Sequence, residues 1–131
     1  MQDDIGKLVL RLSVGGLLLL HGINKLLNGI DGIKTAVTSH GMPEALAYGV
    51  YVGEIIGPVM VILGLFSRIG GAIIVVNMLV AIGLERLADV AHINPMGGGY
   101  ALELEALFLF GGLAVTLLGA GRLSVGGGQL N

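Results

Sequence analysis

Four apolar stretches, each near the length of a bilayer-spanning helix, run through this chain of 131 residues: Ile5 to Leu27, Pro43 to Phe66, Ile69 to Leu87 and Tyr100 to Leu118. A hydrocarbon core about 30 Å thick takes about 20 helical residues, and a helix satisfies its own backbone hydrogen bonds where lipid cannot. The pattern predicts an all-α fold, a transmembrane four-helix bundle forming one domain. Charged residues make up only 12% of the chain, against about 25% in a soluble domain. The lipid bilayer is therefore the first expected partner.

The connections refine this topology. Only Ser67-Arg68 interrupts the second and third segments, which permits a tight hairpin and puts both termini on one side. That side holds Lys7, Arg11, Arg68 and Arg122, against Lys25, Lys34 and Arg86 on the other. The excess predicts cytoplasmic termini in a prokaryotic inner membrane. Arg11 is expected to snorkel toward phosphate headgroups, and Leu123 to Asn131 to form a mobile tail. No small-x-small cleavage site follows the first segment, so it reads as a retained helix. Asp31 as N-cap, two amphipathic turns to His40 and a stop at Gly41 predict a short interfacial helix between helices one and two. Such a helix serves as a spacer or as a lid over the outer end of the bundle.

Composition also excludes functions. A net charge of −2 without a basic run gives no basis for nucleic-acid binding, which needs clustered cations against phosphate. The chain has no Cys, which removes thiol relays and cysteine-held clusters. A bis-His haem would need two facing histidines, but His40 and His92 lie in connections and only His21 is on a spanning segment. Neither haem, iron–sulfur cluster nor another metal site is expected. The 24 Gly instead suggest close helix packing. Gly49, Gly53 and Gly57 form a small-residue stripe available to a neighbouring helix or to a second copy in a homo-oligomer.

An ionisable group at the centre of a spanning helix costs about 2.5 to 3.5 kcal/mol and tends to face the protein interior. Glu54 sits in the middle of the second segment, and Pro58 cannot supply the N–H that the Glu54 carbonyl would normally accept. A kink is expected there. At 1.5 Å per residue, His21, Glu54, Glu85, Glu103 and Glu105 fall roughly 18 to 24 Å from the termini side, in one half of the bundle. His21 and Lys25 share a face at i, i+4 spacing. Glu103 and Glu105 point about 200° apart, and the stripe through Gly112 and Thr116 makes Glu105 the inward candidate. One use of this layer is structural, with Lys25 paired to Glu103 or Glu105 and Arg86 to Glu85. The other is proton transfer by whichever acid is left unpaired.

The landmarks Arg11-Leu12, His21-Gly22-Ile23-Asn24-Lys25-Leu26, Glu54, Gly64-Leu65-Phe66-Ser67-Arg68, Gly98-Gly99-Tyr100-Ala101-Leu102-Glu103-Leu104 and Gly119-Ala120-Gly121-Arg122-Leu123-Ser124 occur in order over nearly the whole chain. In this the chain resembles the DoxX family. Ala101 departs from an acid often found after the Gly-Gly-Tyr, and Ala120 from a common Pro. The resemblance implies a small prokaryotic inner-membrane protein of four helices, in a family named for the membrane subunit of a thiosulfate:quinone oxidoreductase.

Two functions are then open. In one, the chain is the membrane part of a quinone-linked oxidoreductase acting with a soluble or membrane redox partner. Glu54, His21, Glu103 and Glu105 are its catalytic candidates, and Lys25, Tyr51, Tyr100 and Glu85 its ligand-binding ones. No side chain here accepts electrons easily, so a quinone is the expected cofactor. In the other, the chain is a non-catalytic accessory partner or a small-solute transporter, and the polar layer fixes packing or binds a solute.

Overall fold

A computed structural model describes residues 1–131, of which 72% are helical. Five helices follow one another: α1 (Gln2–Asn28), α2 (Asp31–Ser39), α3 (Glu44–Leu63), α4 (Ser67–Glu85) and α5 (Glu103–Leu118). The helices α1, α3 and α4 are each long and apolar enough to cross a membrane. The 16 residues of α5 rise roughly 24 Å and complete a transmembrane four-helix bundle. The short α2 is the expected interfacial helix. Its first residue is Asp31 and the N-cap position falls to Ile30, one place earlier than the sequence suggests.

The backbones approach closely where glycines meet, the geometry that small residues permit between membrane helices. On α4, Gly70 lies against the Gly57 carbonyl of α3, and Gly71 against the Gly112 carbonyl of α5. Gly15 and Gly22 seat α1 on α3, and Gly111 seats α5 on Val14 of α1. Within the stripe on α3, Gly53 and Gly57 thus pack inside the chain, against Asn77 and Gly70 of α4, while Gly49 has open space beside it. The core contains Val14, Leu18, Val61, Ile74, Met78, Phe108 and Val115, drawn from all four long helices. A second cluster, Ile30, Val37 and Ala47, clamps α2 onto the start of α3.

The break expected at Pro58 takes the form of a widened turn. Over Val52–Ile56 the helix is of π type, and the Gly57 N–H donates to the Val52 carbonyl five residues back. Regular α-helix resumes from Gly57 to Leu63, directly through the proline. Such π turns often occur where a helix carries a functional group, and Glu54 stands in the middle of this one. At the other end of α3, Gly64 at φ 72° closes the helix while the Leu65 N–H reaches back to the Met60 carbonyl at 2.9 Å. This is a Schellman motif.

Two expectations at the termini side are corrected. Arg11 does not snorkel. It is 1% exposed, and its guanidinium donates to the carbonyls of Val61 at 2.9 Å, Ile62 at 3.0 Å, Ala120 at 2.8 Å and Leu123 at 2.9 Å. The carbonyls at a helix end lack partners within the helix, and the planar fork of arginine meets several acceptors at once. Nor is Leu123 to Asn131 a loose tail. It folds back over the α3–α4 hairpin, with Val125 N–H on the Leu63 carbonyl at 2.9 Å, Gly126 N–H on the Gly64 carbonyl at 2.9 Å and Arg68 N–H on the Leu130 carbonyl at 3.1 Å.

Candidate functional site

The wide turn of α3 delivers Glu54 to the interior, where it is 3% exposed. Opposite it, α1 brings Lys25, whose ammonium forms an ion pair with a carboxylate oxygen of Glu54. The glycine at position 22 makes this possible, because a Cβ there would run into the Glu54 carbonyl. Tyr51, one turn before Glu54, donates its hydroxyl to the Lys25 carbonyl at 3.4 Å, which ties the same two helix segments together. Outside this pair the expected partners are corrected: Lys25 meets neither Glu103 nor Glu105, and Arg86 does not meet Glu85.

Beside the pair lies a cavity of about 630 Å³ between α3 and α4, within the roughly 300 to 1,000 Å³ typical of small-molecule sites. Fourteen of its 20 lining residues are hydrophobic; the polar ones are Lys25, Glu54, Asn77 and Glu85, and two glycines complete the wall. Ile33 and Val37 of α2 also line it, so α2 is a roof over the cavity as well as a spacer. Leu46, Val52, Val76 and Val80 line the cavity and are also exposed on the outer surface. Its opening is therefore mostly apolar, with Glu85 its one exposed charged residue, and faces the position of lipid chains.

The remaining sequence candidates lie elsewhere. Arg86 donates to Asp89 at 3.1 Å, Glu105 at 2.9 Å and the Ala101 carbonyl at 3.0 Å. This guanidinium, bonded through all three of its nitrogens, staples the end of α4 to the start of α5, and it makes Glu105 the inward acid of the two. Glu103 is exposed, with its carboxylate beside Gly99. Tyr100 is exposed and donates to the Val90 carbonyl. His21 is exposed, one turn from Lys25, with its ring edge-on to Phe108 at 5.8 Å. The structure thus brings Lys25, Glu54 and Glu85 to one cavity, keeps Tyr51 just behind it, and leaves His21, Glu103, Glu105 and Tyr100 outside. Sequence reasoning passed over Asn77, although a lone carboxamide in an apolar helix of 19 residues was a signal.

The family model described as DoxX matches residues 6–87. A protein of Bacillus subtilis (strain 168) named "Putative oxidoreductase CatD" is 35% identical over 122 residues, covering 93% of this chain and 85% of that protein. No solved structure matches the chain significantly.

Proposed function

The chain belongs to the DoxX family, and from that premise we propose that it is the membrane subunit of a quinone-linked redox complex. It would sit in the cytoplasmic membrane with both termini on the cytoplasmic side and work with a partner that supplies electrons. The observation that carries this reading is the Lys25–Glu54 pair standing at an apolar cavity whose mouth faces lipid. The name of the Bacillus relative adds a redox context.

The residues suit such a ligand. The apolar walls accept a flat ring and the start of its tail, and the exposed valines at the mouth give lateral access from the bilayer. A bound quinone supplies a two-electron, two-proton acceptor that no side chain here provides. Lys25 offers an ammonium proton to a ligand oxygen and, in a low-dielectric site, stabilises negative charge developing there. Glu54, ionised in the pair, holds the ammonium in position; once Lys25 has given up its proton, Glu54 takes up a replacement from solvent and passes it to the Lys25 amine.

The test is quinone reduction in membranes that contain the native partners. Glu54→Gln keeps the shape and still accepts a hydrogen bond from Lys25, so the fold should survive while turnover falls by about 100-fold, the lower end for loss of a general acid. The closed ion pair favours a second reading, a non-catalytic accessory protein, because each charge already satisfies the other. Normal turnover in a well-folded Glu54→Gln protein would decide for that second reading.

A further inference from the structure

Asn77 stands on α4 across the cavity wall from the ion pair. Counted along the helices at 1.5 Å per residue, it lies roughly 15 Å from Ser67, and Glu54 lies roughly 14 Å from Leu63 at the same end of the hairpin. The two side chains are therefore level. The Asn77 side chain covers the face of Gly53 so closely that a Cβ on that glycine would overlap it. This brings the carboxamide beside the backbone that carries Glu54. It has no hydrogen-bond partner within the chain, and it is not sealed away, since the one enclosed side-chain polar atom left without a partner is the Ser67 hydroxyl.

A carboxamide that only joined helices would bond to a neighbouring helix, as polar side chains in membranes do. This one bonds to nothing and lines the cavity. The charges of Lys25 and Glu54 cancel, and Glu85, the other acid of the lining, is exposed, so the interior of the cavity suits a neutral ligand; its walls suit an apolar ring; and its two donor groups, the ammonium of Lys25 and the amide of Asn77, each suit an acceptor oxygen. We propose that Asn77 is the second anchor of this cavity and that the ligand is a para-quinone held by both carbonyl oxygens, one at Lys25 and one at Asn77, an inference that rests on the quinone reading above.

The experiment is calorimetric titration of menadione, and of its one-carbonyl analogue methyltetralone, into the full chain in lipid nanodiscs. The wild type should bind menadione about tenfold more tightly than methyltetralone, the difference corresponding to one hydrogen bond. Asn77→Leu should weaken menadione binding by a similar factor, leave methyltetralone binding nearly unchanged and keep or raise the melting temperature. Equal affinity of the wild type for both compounds would overturn the two-carbonyl anchor even if Asn77→Leu fails to fold. Menadione binding unchanged in Asn77→Leu, with quinone turnover reduced in Glu54→Gln, would overturn the role of Asn77 alone. No menadione binding by the wild type would overturn this inference, and normal turnover in Glu54→Gln would overturn the redox reading beneath it.

Discussion

Gly22 of α1 lies directly against the backbone carbonyl of Glu54 on α3, with no room for a β carbon between them. The contact sets the distance between the two helices at the level where Lys25 must reach Glu54. A helix neighbour one turn away thus governs the polar site without carrying any chemistry.

A methyl group at this point should force the helices apart. Gly22→Ala is expected to destabilise the bundle by about 1 to 3 kcal/mol, as overpacking does, and to reduce quinone turnover with it. Gly16→Ala is the control, since nothing lies within 4 Å of a Cβ there. Thermal melting in detergent of both variants checks this, and equal melting would dismiss the contact as unimportant.

Removing one half of the ion pair should cost more than removing both. Glu54 has a side chain 5% exposed and Lys25 one 29% exposed, so Lys25→Met leaves a carboxylate buried without its cation. The expected loss is about 3 kcal/mol. Adding Glu54→Gln should recover much of it, which a double-mutant cycle measured by melting would show. Additive losses would mean that the two residues are not coupled.

Arg11 should prove one of the most sensitive positions in the chain. Hydrogen bonds to a charged group contribute about 1.5 to 3 kcal/mol each, and Arg11 makes four to backbone carbonyls. Arg11→Met is expected to lose about 4 kcal/mol or to prevent folding. Arg11→Lys should restore only a minor part, because one ammonium cannot span acceptors on two segments. A melting temperature for Arg11→Lys equal to that of the wild type would refute the clamp.

Both termini lie on one side, where the Arg122 N–H donates to Asp4 at 3.0 Å, and α2 lies on the other. Cysteines placed at Ser39 and Gln129, both exposed, should react with an impermeant thiol reagent from opposite faces of sealed inside-out or right-side-out vesicles. Reaction of Gln129→Cys from the cytoplasmic face completes the orientation. Labelling of both from one face would contradict the topology.

The spanning segments were legible in the sequence because a bilayer demands long apolar helices whatever packs against them. The small-residue contacts were legible for the same reason: Gly70-Gly71 and Gly111-Gly112 had few other uses. Pairing was not. Glu54, Glu103 and Glu105 share one half of the bundle, but depth says nothing about the rotation of each helix, and rotation decided that Lys25 meets Glu54 while Arg86 takes Glu105. Arg11 was misread because its acceptors are carbonyls at Ala120 and Leu123, and backbone acceptors leave no mark in a sequence. The wide turn at Val52–Ile56 was foreshadowed by Pro58, but a proline alone does not choose between a kink and a π turn.

The reach of Arg11 has a consequence for biogenesis. Its donors enter the membrane with the first helix, whereas two of its acceptors lie 109 and 112 residues further along the chain. At roughly 5 to 20 residues per second of synthesis, that separation is on the order of 5 to 20 seconds. Until then the Nη1 donors must be held by water, lipid phosphate or the insertion machinery, since Val61 and Ile62 take only the Nε and Nη2 donors. The bundle is thus latched by a segment made long after the first helix, and a nascent chain halted before Ala120 should remain an open set of helices.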